Sequence, residues 1–175
     1  MISKSLLIAA TAAAAAGAGA IVVPQAAAAQ AAPISTIYSA AQNTCLDTST
    51  TDPAHYFLDT YGHACNGSTT QNFAFQAVTG TTATYQIVSQ ANGLCIEKYR
   101  LGVRQAACSS YTEWTLHPVG TGGNRYQFVA PGTSGYPTAD CIQVYPTPNG
   151  YPGPLFDLAG CSSAPGQILT LSTTP

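Results

Sequence analysis

Six cysteines fall into three pairs, and each pair sits at the same place in a stretch of sequence that occurs three times. The openings are Thr44-Cys45-Leu46-Asp47, Leu94-Cys95-Ile96-Glu97 and Asp140-Cys141-Ile142-Gln143, and Cys65, Cys108 and Cys161 close them. Successive openings lie 50 and then 46 residues apart. Such a unit cannot bury a core alone, so the three copies must pack on one another. Sequence alone permits many cysteine pairings. Only Cys45 with Cys65, Cys95 with Cys108 and Cys141 with Cys161 gives three equivalent bridges, and the repeat selects that set. None of the spacings is C-x-x-C, which argues against zinc or redox chemistry and for structural crosslinks. Each bridge closes a short loop and should contribute about 3 kcal/mol.

The chain begins with a different kind of sequence. Lys4 and the amino terminus give a small positive start, Leu6 to Val23 is an apolar run diluted with alanine and glycine, and Ala29-Gln30-Ala31 is a small-residue cleavage site. Residues 1–31 read as a secretory signal peptide. The competing reading is a membrane anchor, but the run is mostly alanine and contains Thr11, Gly17 and Gly19. No other segment is apolar enough to enter a membrane, so a secreted, extracellular protein without membrane contact is expected. Removal of the leader leaves 144 of the 175 residues as one domain, 32–175. Export into an oxidising compartment agrees with six cysteines and no spare.

Charge is sparse. Beyond the leader, Lys98, Arg100, Arg104 and Arg125 oppose seven acids, a formal balance of −3. A polyanion binder needs clustered positive charge, and three of these four cations share one repeat with two acids, so nucleic acid is not an expected partner. The surface must then be covered by Thr, Ser, Asn, Gln and Tyr.

Within each unit the apolar pattern has a period of two, broken every eight to twelve residues by Gly, Pro or Asn. In the second unit Thr84 to Ser89 reads as a strand, Asn92-Gly93 as a tight turn, and Leu94 to Lys98, Gly102 to Ala107 and Glu113 to Leu116 as further strands. The first unit runs in parallel through Ile37-Tyr38, Cys45 to Thr48, Leu58 to Ala64 and Gln71 to Phe75. The third does so through Tyr126 to Val129, Cys141 to Tyr145, Leu155 to Gly160 and Gln167 to Leu171. No stretch keeps a helical spacing with a cap. The fold class is all-β, twelve short strands in three equal sets over about 34–78, 82–119 and 124–172, able to close into a barrel with threefold pseudosymmetry.

The order C-[LI]-[DEQ], a second cysteine at the end of the third strand and a following Gln-x-aromatic resembles the ricin B-chain-type lectins over essentially the whole domain, from about Ile37 to Leu171. That resemblance implies a β-trefoil. The family's Gln-x-Trp signature is degenerate in every repeat: Gln71-Asn72-Phe73 and Gln167-Ile168-Leu169 keep the glutamine, and Tyr111-Thr112-Glu113-Trp114 keeps the tryptophan. The resemblance implies that Phe73, Trp114 and Leu169 lie in the core, with Leu46, Ile96 and Ile142.

Strand alternation places Cys45 and Asp47 on the outward face if Leu46 points inward, and puts Tyr61, His63 and Cys65 together on the facing strand. A carboxylate accepts paired hydrogen bonds from adjacent sugar hydroxyls, and a ring covers the C–H face of a pyranose. By resemblance Asp47 takes the lectins' carboxylate position, His63 their aromatic platform, with Tyr61 beside it, and Gln71 their signature glutamine. Thr70 stands where the lectins carry asparagine. The expected ligand is a carbohydrate, galactose-like by resemblance only, and no cofactor or metal is expected. Asp47 has a second reading, a turn residue capping amides near Thr48 and Ser49. In the second repeat Glu97 and Arg104 should face each other as an exposed ion pair of about 0–1 kcal/mol, leaving no sugar site. In the third, Gln143, Tyr145 and Asp157 form a candidate second site, with Tyr151 nearby, unless those tyrosines only pack on prolines.

An enzyme is not expected. His55, His63 and His117 partner no nucleophile motif, and Gly132-Thr133-Ser134-Gly135 lacks the spacing of a nucleophile elbow. The acid pairs Asp47 with Asp59 and Asp140 with Asp157 would need a particular separation for glycoside cleavage. The alternative function is a trefoil with decayed sugar sites, acting as a protein-binding or inhibitor module through its long polar loops.

Overall fold

Where apolar and polar residues alternate, the chain is extended, and the extended segments repeat with the cysteines. The computed structural model describes residues 32–48, 60–100, 102–132, 139–148, 153–173 and 175. The expected leader, 1–31, and Ser49, His55, Leu58, Asp59, Ser134 and Tyr151 fall outside these.

The first repeat contains β1 (Ile34–Ser35), β2 (Ile37–Ser39), β3 (Thr44–Asp47), β4 (Tyr61–His63) and β5 (Phe73–Ala77). The second has β6 (Thr84–Ser89), β7 (Cys95–Tyr99), β8 (Gly102–Ala106) and β9 (Glu113–Pro118). The third has β10 (Arg125–Val129), β11 (Asp140–Tyr145), β12 (Leu155–Gly160) and β13 (Leu169–Leu171). The twelve expected strands are present, joined by the two-residue β1.

Antiparallel pairs run β2–β13, β13–β10, β10–β9, β9–β6, β6–β5 and β5–β1. Only Thr36 separates β1 from β2, so the ring of strands closes on itself and leaves no edge. The hairpins β3–β4, β7–β8 and β11–β12 cap that barrel. They are tied to each other: β12 meets β4 at Leu155 and Tyr61 and meets β8 at Asp157 and Gly102. The Thr60 hydroxyl adds a 2.6 Å bond to the Val103 carbonyl. A six-stranded barrel closed by three hairpins is the β-trefoil that the repeat implies.

The turn into each of the first two hairpins takes a left-handed residue. Asn43 supplies it in the first repeat at φ 50° and Gly93 in the second at φ 74°, two residue types that accept this conformation. Inward residues from all three repeats merge in one core, where Leu46, Phe73, Ile96, Trp114, Ile142 and Leu169 are at most 1% exposed. The disulfides pair as the repeat requires, with Cα–Cα distances of 5.1, 5.0 and 4.9 Å.

Candidate functional site

The β3–β4 hairpin places Asp47 opposite Tyr61 and Cys45 opposite His63. The Tyr61 and His63 rings tilt against each other with centroids 4.9 Å apart. Carboxylate and rings therefore share one face, as alternation requires. Their depth corrects the expectation of an open hollow: Asp47 is 3% exposed and Tyr61 4%, and only His63 is half-buried. The Asp47 Oδ2 accepts a 2.9 Å hydrogen bond from the Gln71 amide. The Thr48 amide donates to the Thr70 carbonyl at 2.9 Å, and Ser49, the other amide of the capping reading, lies outside the described residues.

Gln71 has a different part from the one assigned to it as a sugar ligand. Its side chain is wholly buried. The side-chain oxygen accepts from the Asn66 amide at 2.9 Å, and the nitrogen donates to the Ala64 carbonyl at 3.0 Å as well as to Asp47. It staples the loop that follows Cys65. Gln167 does the same after Cys161, accepting from the Ser162 amide at 2.6 Å and donating to the Gly160 carbonyl at 2.9 Å. In the second repeat Thr112 takes over: its hydroxyl accepts from the Ser109 amide at 2.9 Å and donates to the Ser109 carbonyl at 2.6 Å. The loop is shorter there, four residues from Cys108 to Thr112 against six from Cys65 to Gln71, so a shorter side chain reaches. Gln127 escaped the sequence reading. It is 3% exposed and donates to the Ser162 carbonyl and, at 3.3 Å, to Gln167.

On the β7–β8 hairpin Glu97 and Arg104 face each other in register and pair at 2.6 Å. The Arg104 guanidinium also lies 3.7 Å from the centroid of the Tyr99 ring. The position equivalent to Asp47 is thus occupied by an ion pair that is part-buried on its Glu97 side, not the fully exposed pair expected. On β11–β12, Gln143 sits opposite Asp157, and Tyr145 lies two residues along the same face, 39% exposed. The Gln143 amide packs against Gly166, where any side chain would collide with it. It points into the Pro165–Gln167 turn. Asp157 accepts from its neighbour's amide, Leu158, at 2.9 Å and lies over Gly102. Asp140, proposed as an acid partner of Asp157, is 3.6 Å from the Lys98 ammonium.

Burial raises the Asp157 pKa above its ordinary value, and the Leu158 amide opposes that only in part. The native state then holds this proton to higher pH than the unfolded chain does. Stability from this group is present below the unfolded pKa and is lost as pH rises through the folded one. Asp157→Asn keeps an acceptor for Leu158 and removes the loss. Its melting temperature should exceed wild type at pH 7 and converge with it near pH 3. A gain of equal size at both would show that the effect is not protonation.

Among the described residues no three His, Cys, Asp or Glu side chains are grouped to hold a metal ion, and no helix is long and apolar enough to cross a membrane. No protein-family model matches the chain, and no curated protein matches it. Solved structures do. The ricin B-like lectin of Macrolepiota procera in complex with lactose is 16% identical over 83% of this chain and 97% of that one, with a TM-score of 0.61. The designed threefold-symmetric protein ThreeFoil is 18% identical over 79% and 96%, with a TM-score of 0.56. A GH43 β-1,3-galactosidase is 11% identical over 79% of this chain but 26% of its own, with a TM-score of 0.58. At such identities the likeness is one of architecture, and the architecture is the β-trefoil that ricin B-like lectins share.

Proposed function

We propose that the protein is an exported carbohydrate-binding module whose first repeat takes a single sugar ring or glycan end, with the galactose-like preference that resemblance suggests. One observation carries the reading: Asp47 is held by Gln71, directly opposite Tyr61 and beside the half-buried His63 ring. A buried carboxylate is expensive, and the hairpin does not require it. Glu97 and Gln143 occupy the equivalent positions of the other two hairpins, which form without a carboxylate at this depth. The Macrolepiota lectin was solved with lactose, and three disulfides suit an oxidising, extracellular setting.

In this arrangement adjacent sugar hydroxyls donate to the Asp47 carboxylate while the ring lies on His63. Because Asp47 is covered, the surface beside it must yield first, and that opening step weakens the apparent affinity. Lactose at millimolar concentration should perturb the His63 ring signals, and Asp47→Asn, which keeps an acceptor for Gln71, should reduce affinity by about tenfold or more. The same burial favours a second reading, a trefoil with decayed sugar sites that serves as a protein-binding or inhibitor module. Indifference to a panel of simple sugars, with Asp47→Asn indistinguishable from wild type, would decide for that reading. Release of product from chromogenic galactosides would decide against both.

A further inference from the structure

In the barrel wall β10, β13 and β2 run side by side. Arg125 pairs in register with Thr170, and Thr170 with Tyr38. Residues directly opposite one another project to the same face. Leu169 and Leu171 on either side of Thr170 are buried, so the row of guanidinium, hydroxyl and phenol faces outward. Beside it Ala40, Ala41, Pro165 and Ile168 enclose, with Arg125 and Thr170, a hollow of about 390 Å³. Small-molecule sites span roughly 300–1,000 Å³. The floor is largely aliphatic. Arg125 is exposed and its side chain has no ion-pair or hydrogen-bond partner among the described residues, unlike Lys98 with Asp140 and Arg104 with Glu97.

We infer that this hollow is a binding site for a small organic ligand carrying one carboxylate beside an apolar face. The guanidinium fork matches a carboxylate in two parallel bonds. The aliphatic floor removes the rest of the ligand from water, and the Thr170 hydroxyl is placed to meet a polar substituent. A phosphate dianion fits less well, because Arg125 is the single cation lining the hollow and the chain as a whole is anionic, at −2. The site uses no residue of the Asp47 hairpin and does not depend on the sugar reading.

Two sources supply such a carboxylate, an acyl chain and a sugar acid. The test titrates isotopically labelled protein with hexanoate and, separately, with glucuronate, each beside its uncharged counterpart, hexanamide or glucose. At least one carboxylate at millimolar concentration should shift the Ala40, Ala41 and Ile168 signals, about tenfold more tightly than its counterpart. Arg125→Gln should erase that advantage. Arg125 is exposed, so the variant keeps its fold. The arm that responds names the source, and a response from both establishes the shared carboxylate recognition. Silence from both carboxylates, equal binding of the neutral compounds, or unchanged affinity in Arg125→Gln would overturn the inference.

Discussion

Trp114→Ala should lower the free energy of unfolding by about 4 kcal/mol or more, the largest effect of any single side chain in the molecule. The indole is wholly buried among residues of all three repeats, and its N–H donates to the Ile96 carbonyl at 2.8 Å. Truncating a buried tryptophan costs about 3–5 kcal/mol in lost contacts and residual cavity. Leaving the Ile96 carbonyl without its donor adds about 1–3 kcal/mol. A domain of this size has about 5–15 kcal/mol in total, so a large fraction of the variant is expected to be unfolded at 37 °C. Trp114→Phe weights the two contributions differently, because it keeps a six-membered ring in place and loses the N–H together with the rest of the indole. It should fall about 1–3 kcal/mol below wild type. The chain has one tryptophan, so both variants must be followed by circular dichroism in urea. Equal stabilities for the alanine and phenylalanine variants would mean that ring volume is not what Trp114 contributes.

The trefoil was legible because two independent signals repeat in register. Cysteines and period-two strands agree in all copies, so an error in one repeat is corrected by the other two. What has no threefold copy was not legible. β1 is two residues long, too short for alternation to register, yet it closes the barrel through Ile34 and Ser35 against Phe73 and Ala74. The site divides along the same line. Alternation gives the face on which a side chain lies, and it placed Asp47 against Tyr61, Glu97 against Arg104 and Gln143 against Asp157. It does not give depth. Asp47 is buried with its carboxylate bonded to the Gln71 amide, in a loop that crosses back from the next strand. Thr112 could have been found from the shorter interval after Cys108, which calls for a shorter stapling side chain. Gln127 carries no such signal: its partners Ser162 and Gln167 lie 35 and 40 residues away.

Gln71 is where structure and function meet, and two substitutions pull them apart. Gln71→Ala removes the acceptor for the Asn66 amide and the donor for both the Ala64 carbonyl and Asp47. The Asn66 amide and the Ala64 carbonyl belong to exposed residues and can turn to water, while buried Asp47 loses one of its bonds, so a loss of about 1–3 kcal/mol and the disappearance of any sugar response are expected. Gln71→Glu keeps the acceptor for Asn66 but sets a second carboxyl against Asp47, across the 2.9 Å that the amide now bridges. Two carboxylates at that distance cannot both ionise, so one pKa must rise above its unfolded value. The native state then binds a proton that the unfolded chain releases, and stability is present at low pH and lost as pH rises through the raised pKa. Gln71→Glu should therefore be less stable than Gln71→Ala at pH 7 and more stable than it near pH 4, where the shared proton restores a bond to Asp47. Urea midpoints of the two variants at both values test this crossing. Parallel curves, with no change of order, would show that the Asp47 carboxyl does not face position 71, and the pairing on which the sugar reading stands would fall with it.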